Sequence, residues 1–130
     1  TDGMPARVIN MGSVVGTVPI GQQAYSYATS KAAVHHLTKV LSNEFAARRI
    51  TFNAIAPGLF ETRMTAFAAA DEAKKRHAMN AVPMKRFGHP AELAATLLYL
   101  CGRGGSYTTG AVIPLDGGIS ADAIKSMWED

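Results

Sequence analysis

The chain of 130 residues has little that would tie it to metal, membrane or nucleic acid, and each gap excludes something. It contains one cysteine, Cys101, so no disulfide forms within it. That fits a reducing, cytoplasmic setting. Cys101 follows the apolar run LAATLLYL and is expected to be a buried, inert thiol. No apolar run approaches the ~20 residues that span a bilayer, so no membrane partner is expected. No signal peptide is visible. The net charge is only +3, with its basic residues dispersed. The densest cluster, Lys74, Lys75, Arg76 and His77, reads as a solvated helix face. No basic stripe carries interleaved aromatics, so no nucleic-acid partner is expected. Metal spacing is missing too. His35 and His36 are adjacent and point apart on a helix, while His77 and His89 read as surface or loop residues. No catalytic metal is expected.

What is present is an α/β pattern. Hydrophobic residues make up 48%, enough for one domain with a core. ARVINMGS, residues 6–13, reads as a short buried strand that breaks at Gly12. VVGTVPIGQQ, residues 14–23, is a loop by its Gly16, Pro19 and Gly21. From Ala24 to about Arg48 the apolar spacing predicts a helix whose inward stripe carries Tyr27, Lys31, Val34, Leu37, Leu41 and Phe45. ITFNAIAPG, residues 50–58, is a second strand, ended by Pro57-Gly58. Strand, helix and strand form a βαβ unit with parallel strands and a right-handed crossover. Residues 61–80 read as one or two surface helices, and 82–90 as a connector. Pro90 and Glu92 start a further helix that runs to about Leu100. GRGGSYTTG is a glycine-rich loop, and AVIPLDGG, residues 111–118, a third strand.

Chemistry gathers in AYSYATSK, residues 24–31. A helix turns about 100° per residue, so Tyr27 and Lys31 share a face while Tyr25 points roughly 120° away from Lys31. Ligands of parallel α/β sheets bind at the carboxyl ends of strands. Ser13 and Pro57-Gly58 end strands there, and Tyr27 lies near the start of the helix between them. A cation one helical turn away favours a phenolate over a phenol. Tyr27 can then exchange a proton with an alkoxide. Ser13 can hydrogen-bond a carbonyl oxygen where negative charge develops. The missing element is a hydride source, which a nicotinamide supplies.

In combination these segments resemble the C-terminal half of the short-chain dehydrogenase/reductase (SDR) family. VINMGSVVG resembles the family's strand-plus-serine segment, and YATSKAAVHHLTKVLSNEF its catalytic helix. ITFNAIAPGLFETRM resembles the next strand and the Pro-Gly segment that receives nicotinamide. KRFGHPAELA and TGAVIPLDGG resemble its last helix and strand. The resemblance runs to about residue 120. It implies a three-layer, Rossmann-type, doubly wound parallel sheet, of which residues 1–130 are the C-terminal part of a single domain.

It also implies the site. Ser13 polarises the substrate carbonyl, Tyr27 is the acid/base, and Lys31 lowers the pKa of Tyr27 and binds the nicotinamide ribose. Pro57, Gly58, the Phe60 backbone and the Thr62 side chain hold the nicotinamide end of NADP or NAD, NADP slightly preferred. Residues 61–80 match a variable substrate lid, in which Met64 and Phe67 line an apolar pocket or simply pack. Tyr25 packs or joins a substrate loop. The substrate is a small-molecule ketone or secondary alcohol, with 3-oxoacyl thioesters the first expectation. A dimer or homotetramer, paired partly through the catalytic helix, is the usual assembly. Arg48 stands where acyl-carrier-protein reductases place an arginine for their acidic carrier, although a cation there also complements the helix dipole. Trp128 is a candidate for docking on a neighbouring subunit.

Two departures stand out. Arg49 replaces a glycine just past the catalytic helix, where a left-handed cap favours glycine. No G-x-x-x-G-x-G follows a strand, and the sequence starts TDGMPARVIN without an initiator methionine. A piece of a longer chain is therefore expected, and a non-catalytic scaffold chain is the competing reading.

Overall fold

The computed structural model describes residues 3–19, 24–61 and 71–121. Three strands form one parallel sheet in the order β1-β2-β3: β1 (Ala6–Met11), β2 (Ile50–Pro57) and β3 (Val112–Leu115). Ala6 stands opposite Ile50 and Met11 opposite Ile55, while Ala54 to Pro57 stand opposite Val112 to Leu115. The central strand is the core. Thr51 to Ala56 are all buried, with Ala54 and Ile55 fully so. A parallel strand covered on both faces reads as a nearly continuous apolar run, and TFNAIA is that apart from Thr51 and Asn53. The Asn53 side chain is satisfied: Nδ2 donates to Thr108 O at 2.8 Å, and Oδ1 accepts from Ala111 N at 3.0 Å.

Three α-helices are described: α1 (Tyr25–Phe45), α2 (Glu72–Asn80) and α3 (Pro90–Cys101). Successive strand residues face opposite sides of a sheet, and β1 uses this to hold a different helix on each. Asn10 Nδ2 donates to Thr38 Oγ1 of α1 at 2.9 Å. Arg7, three residues earlier, faces the other way. Its guanidinium donates to Leu100 O at 2.8 Å and Gly102 O at 3.2 Å, so a cation caps the carboxyl end of α3. The layers are helix, sheet, helix, as the sequence predicts. The chain moves in one direction across the sheet while its helices change face. The two crossovers therefore have opposite hands, and only one is the common right-handed kind.

The long helix differs from its sequence pattern in two ways. It ends at Phe45 and tightens into a 3-10 turn, Ala46–Arg48. Its buried residues are His35, Thr38 and Ser42 rather than Leu37, which is 50% exposed. The reason lies in β1 and the turn after it, which offer the Asn10 side chain and the Ser13 N–H to this face. Polar groups on α1 answer them, with Thr38 Oγ1 also donating to Val34 O at 2.8 Å. Val34, Leu41 and Phe45 keep their inward positions, and Phe45 meets Phe52 of β2 at 5.4 Å between ring centroids.

α3 begins with a capping box. His89 Nδ1 accepts from Ala91 N at 3.2 Å, and Glu92 Oε2 accepts from His89 N at 2.7 Å. His89 is thus a helix cap rather than a passive loop residue. Cys101 is exposed, contrary to the expectation of a buried thiol. Leu100 takes the inward position at 0% exposure, and the next residue, turned about 100° away, joins Leu98 on the outer surface. The glycine-rich loop contains a 3-10 turn, Arg103–Tyr107, and another such turn follows Ser13 at Val14–Gly16. No helix among the described residues is long and apolar enough to cross a membrane.

Candidate active site

The carboxyl end of β1, the 3-10 turn after it and the first turns of α1 meet at one rim of the sheet. Ser13 caps the turn Val14–Gly16, with Oγ accepting from Val15 N at 3.4 Å. That hydrogen bond uses a lone pair and leaves the hydroxyl proton available to an acceptor. The residue is 7% exposed, so its position is set by packing. Gly16 lets the turn lie directly on α1. A Cβ there would stand 2.7 Å from the Lys31 carbonyl carbon and 2.8 Å from Ala32 N.

Lys31 and Tyr27 pair as their spacing predicts. Lys31 Nζ lies 5.7 Å from the Tyr27 ring centroid and donates to Met11 O at 2.8 Å. The ammonium thus bridges the phenol and the strand end that precedes Ser13. Tyr27 is 38% exposed, so its ring stands at the rim rather than in the core, and Tyr25, at 77%, lies farther out. The donor set suits a nicotinamide riboside. One of the three ammonium hydrogens is taken by Met11, which leaves two for a vicinal diol, with the Tyr27 ring centroid 5.7 Å from the same nitrogen.

Pro57 ends β2 at the same rim, and Gly58 N donates to Leu115 O at 3.0 Å. Gly58 has a steric reason: a Cβ would stand 2.7 Å from Asp116 Cα. Phe60 forms a one-residue parallel bridge with Gly88, whose bare Cα makes room for the Phe60 ring. Thr62, Met64, Phe67 and Trp128 lie outside the described residues. Burial by itself would raise the Asp116 carboxyl, but hydrogen bonds from Ser120 and Gly118 outweigh it and hold it below its ordinary range. Asp116 thereby fixes the turn after β3 against Gly58.

At the far end of α1 the Arg48 guanidinium stacks 4.8 Å from the Phe45 ring centroid, and the residue remains exposed. Arg49 adopts φ 59°, ψ 44°, the left-handed conformation that a glycine would take without strain.

The sequence reading missed His35. Its imidazole is 7% exposed and lies behind the Ser13 turn. Nε2 accepts from Ser13 N at 3.3 Å, and Nδ1 lies 3.4 Å from Thr17 Oγ1. The usable signal was its position one turn after Lys31 on the Tyr27 face, opposite glycines 12 and 16.

A helix–sheet–helix sandwich on a parallel sheet, with a Tyr–Lys pair and a serine just past a strand end at one rim, is a Rossmann-type architecture. Residues 1–120 match the family described as Enoyl-(Acyl carrier protein) reductase, and the chain belongs to this branch of the short-chain dehydrogenase/reductases. It is 48% identical over 114 residues to the rhamnolipids biosynthesis 3-oxoacyl-[acyl-carrier-protein] reductase of Pseudomonas aeruginosa, covering 88% of this chain and 44% of that protein. It is 41% identical over 112 residues to a galactitol 2-dehydrogenase (L-tagatose-forming) of Cereibacter sphaeroides, covering 85% and 44%. Among solved structures, the Pseudomonas aeruginosa RhlG/NADP active-site complex superposes with a TM-score of 0.89 at 46% identity, covering 92% of this chain and 47% of that one. The chain therefore spans about half the length of the relatives it matches.

Proposed function

We propose that this chain supplies the acid–base half of an NAD(P)-dependent oxidoreductase that reduces a ketone to a secondary alcohol. The carrying observation is the Lys31 ammonium, held between Met11 O at 2.8 Å and the Tyr27 ring at 5.7 Å, beside the turn that Ser13 begins. Tyr27 donates a proton to the forming alkoxide. Lys31 places positive charge beside that phenol and offers its remaining hydrogens to the ribose hydroxyls. The Ser13 hydroxyl donates to the substrate oxygen as it gains negative charge. Pro57, Gly58 and Phe60 border the nicotinamide end. A bound nicotinamide supplies the hydride.

NADP is the cofactor favoured by the RhlG/NADP relative, and 3-oxoacyl thioesters are the substrate class favoured by the Pseudomonas reductase. The domain reading follows from length. Three strands among the described residues and a length of 130 fit the C-terminal part of a single Rossmann-type domain, since relatives such as that reductase are about twice as long. Leu37 and Val40, 50% and 48% exposed on the outer face of α1, suit pairing of two copies through this helix.

The test is NADPH oxidation by the purified full-length protein with a 3-oxoacyl thioester, and in parallel with an enoyl thioester. Turnover on the 3-oxo substrate that is lost in Tyr27→Phe supports the proposal. Undiminished turnover by Tyr27→Phe refutes the acid–base assignment, and turnover on the enoyl substrate alone refutes carbonyl reduction. Absence of any saturable cofactor binding would leave the scaffold reading in its place.

A further inference from the structure

His35 bridges the two ends of the turn that carries Ser13. At one end the Ser13 backbone N–H donates to Nε2 at 3.3 Å. At the other, Nδ1 lies 3.4 Å from Thr17 Oγ1. An imidazole nitrogen that accepts a hydrogen bond carries no proton, so Nε2 is bare and the ring hydrogen sits on Nδ1. That hydrogen then faces Thr17 Oγ1 and the Gly16 backbone. The fold is shaped around this contact. A Cβ on Gly12 would overlap Nε2, and one on Gly16 would stand 2.9 Å from Cε1. Ser13 and His35 are each 7% exposed, so water does not replace the contact readily.

We propose that neutral His35 is a positioning residue for Ser13: it holds the Ser13 backbone, and through it the hydroxyl, at the rim where the carbonyl oxygen is received. This rests on the reading of Ser13 as the group that meets that oxygen. Protonation would put a hydrogen on Nε2, facing the Ser13 N–H, and break the clamp. The surroundings oppose protonation. Burial lowers the affinity of His35 for a proton, the Lys31 and Lys39 ammoniums on its own helix add to this, and a hydrogen bond with the Gly16 backbone works against it. His36 and Lys39 line the same cleft, and the sheet and loop residues there, Gly16, Thr17, Ala56, Val112, Pro114 and Ser120, carry no ionisable side chain.

Two variants and one spectrum test this in the full-length protein. His35→Gln keeps an acceptor near Nε2 but does not titrate, whereas His35→Leu removes the acceptor and leaves the Ser13 N–H unpaired. The expected loss of kcat in His35→Leu is roughly tenfold, with the cofactor KM unchanged. His35→Gln should restore most of kcat and lose the acid limb of the wild-type pH profile. Wild-type kcat in His35→Leu, or equal losses in both variants, overturns the proposal.

Nitrogen-15 spectra of the wild-type protein need no variant to fold and no turnover. They should show His35 as the Nδ1–H tautomer, with the Ser13 amide shifting as His35 titrates. A protonated Nε2 at neutral pH, or a Ser13 amide indifferent to that titration, overturns it as well. Ser13→Ala separates the two ideas. Full turnover there refutes the role of Ser13 in catalysis, while the spectra still decide whether His35 holds it.

Discussion

Lys31 and Met11 are joined across the rim of the sheet: Nζ donates to the strand-end carbonyl at 2.8 Å, which fixes the ammonium 5.7 Å from the Tyr27 ring centroid. A lysine at the edge of a helix–sheet junction would otherwise extend into water. Removing the charge while keeping the stem separates chemistry from packing. Lys31→Met should lower kcat by roughly 10²-fold or more, raise the KM for the cofactor, and leave the melting temperature nearly unchanged. Steady-state kinetics beside a thermal melt read both. A large fall in melting temperature at unchanged kcat would assign Lys31 to the fold instead.

Gly58 is required by space. Its backbone has no room for a methyl group, because a Cβ would stand 2.7 Å from Asp116 Cα and 2.8 Å from Asp116 Cβ. Those atoms belong to a turn that Asp116 itself fixes through Gly118 N and Ser120 N, both at 2.9 Å. Neither side yields cheaply. Gly58→Ala should destabilise by about 1–3 kcal/mol. It should also weaken cofactor binding, since Gly58 borders the proposed nicotinamide site. Denaturant unfolding and a nicotinamide fluorescence titration measure the two effects.

Arg49 offers the opposite case. It holds φ 59° without being glycine, and its carbonyl accepts from Ala6 N at 2.9 Å, so the conformation cannot relax without releasing β1. Arg49→Gly removes the Cβ conflict and loses some stability to the freer unfolded chain. The balance should stabilise by about 0.5–1 kcal/mol. A melting temperature that rises by a few degrees bears this out, and one that falls would mean the Arg49 side chain contributes more than its backbone costs.

The legibility of this chain follows from what sequence spacing reports. The βαβ unit, the Tyr27–Lys31 pair and the strand end at Pro57 depend on local periodicity and breakers and were readable, whereas the first strand stops at Met11, two residues short of the expected Ser13. The inward face of α1 was not, because a hydrophobic stripe predicts Leu37 inside while β1 offers Asn10 to Thr38. A polar demand from a strand far off in sequence is invisible to a local pattern. His35 was missed for the same reason, since its partner is the Ser13 backbone N–H, 22 residues away. Cys101 failed by a different route. An apolar run at a helix end does not say which residue of the last turn faces out. The change of helix face after β2 has no local signature at all.

The buried imidazole also makes a prediction about stability that needs no assay of activity. Burial lowers the proton affinity of His35 below the ordinary value of 6.5, so between that lowered value and 6.5 the unfolded chain binds the proton that the folded chain refuses. The stabilisation is complete above about pH 6.5 and is lost as pH falls through the window beneath it. The carboxylates act in a separate range. Hydrogen bonds from Arg86 and the His89 backbone lower Glu92 from 4.5 to about 2, so its contribution is lost only below about pH 4.5. A melting series should therefore show two steps, one starting just below neutrality and one in acid. In His35→Gln the first step should vanish and the second remain. If the first step persists in that variant, another group carries it, and His35 is not the residue that couples this fold to pH.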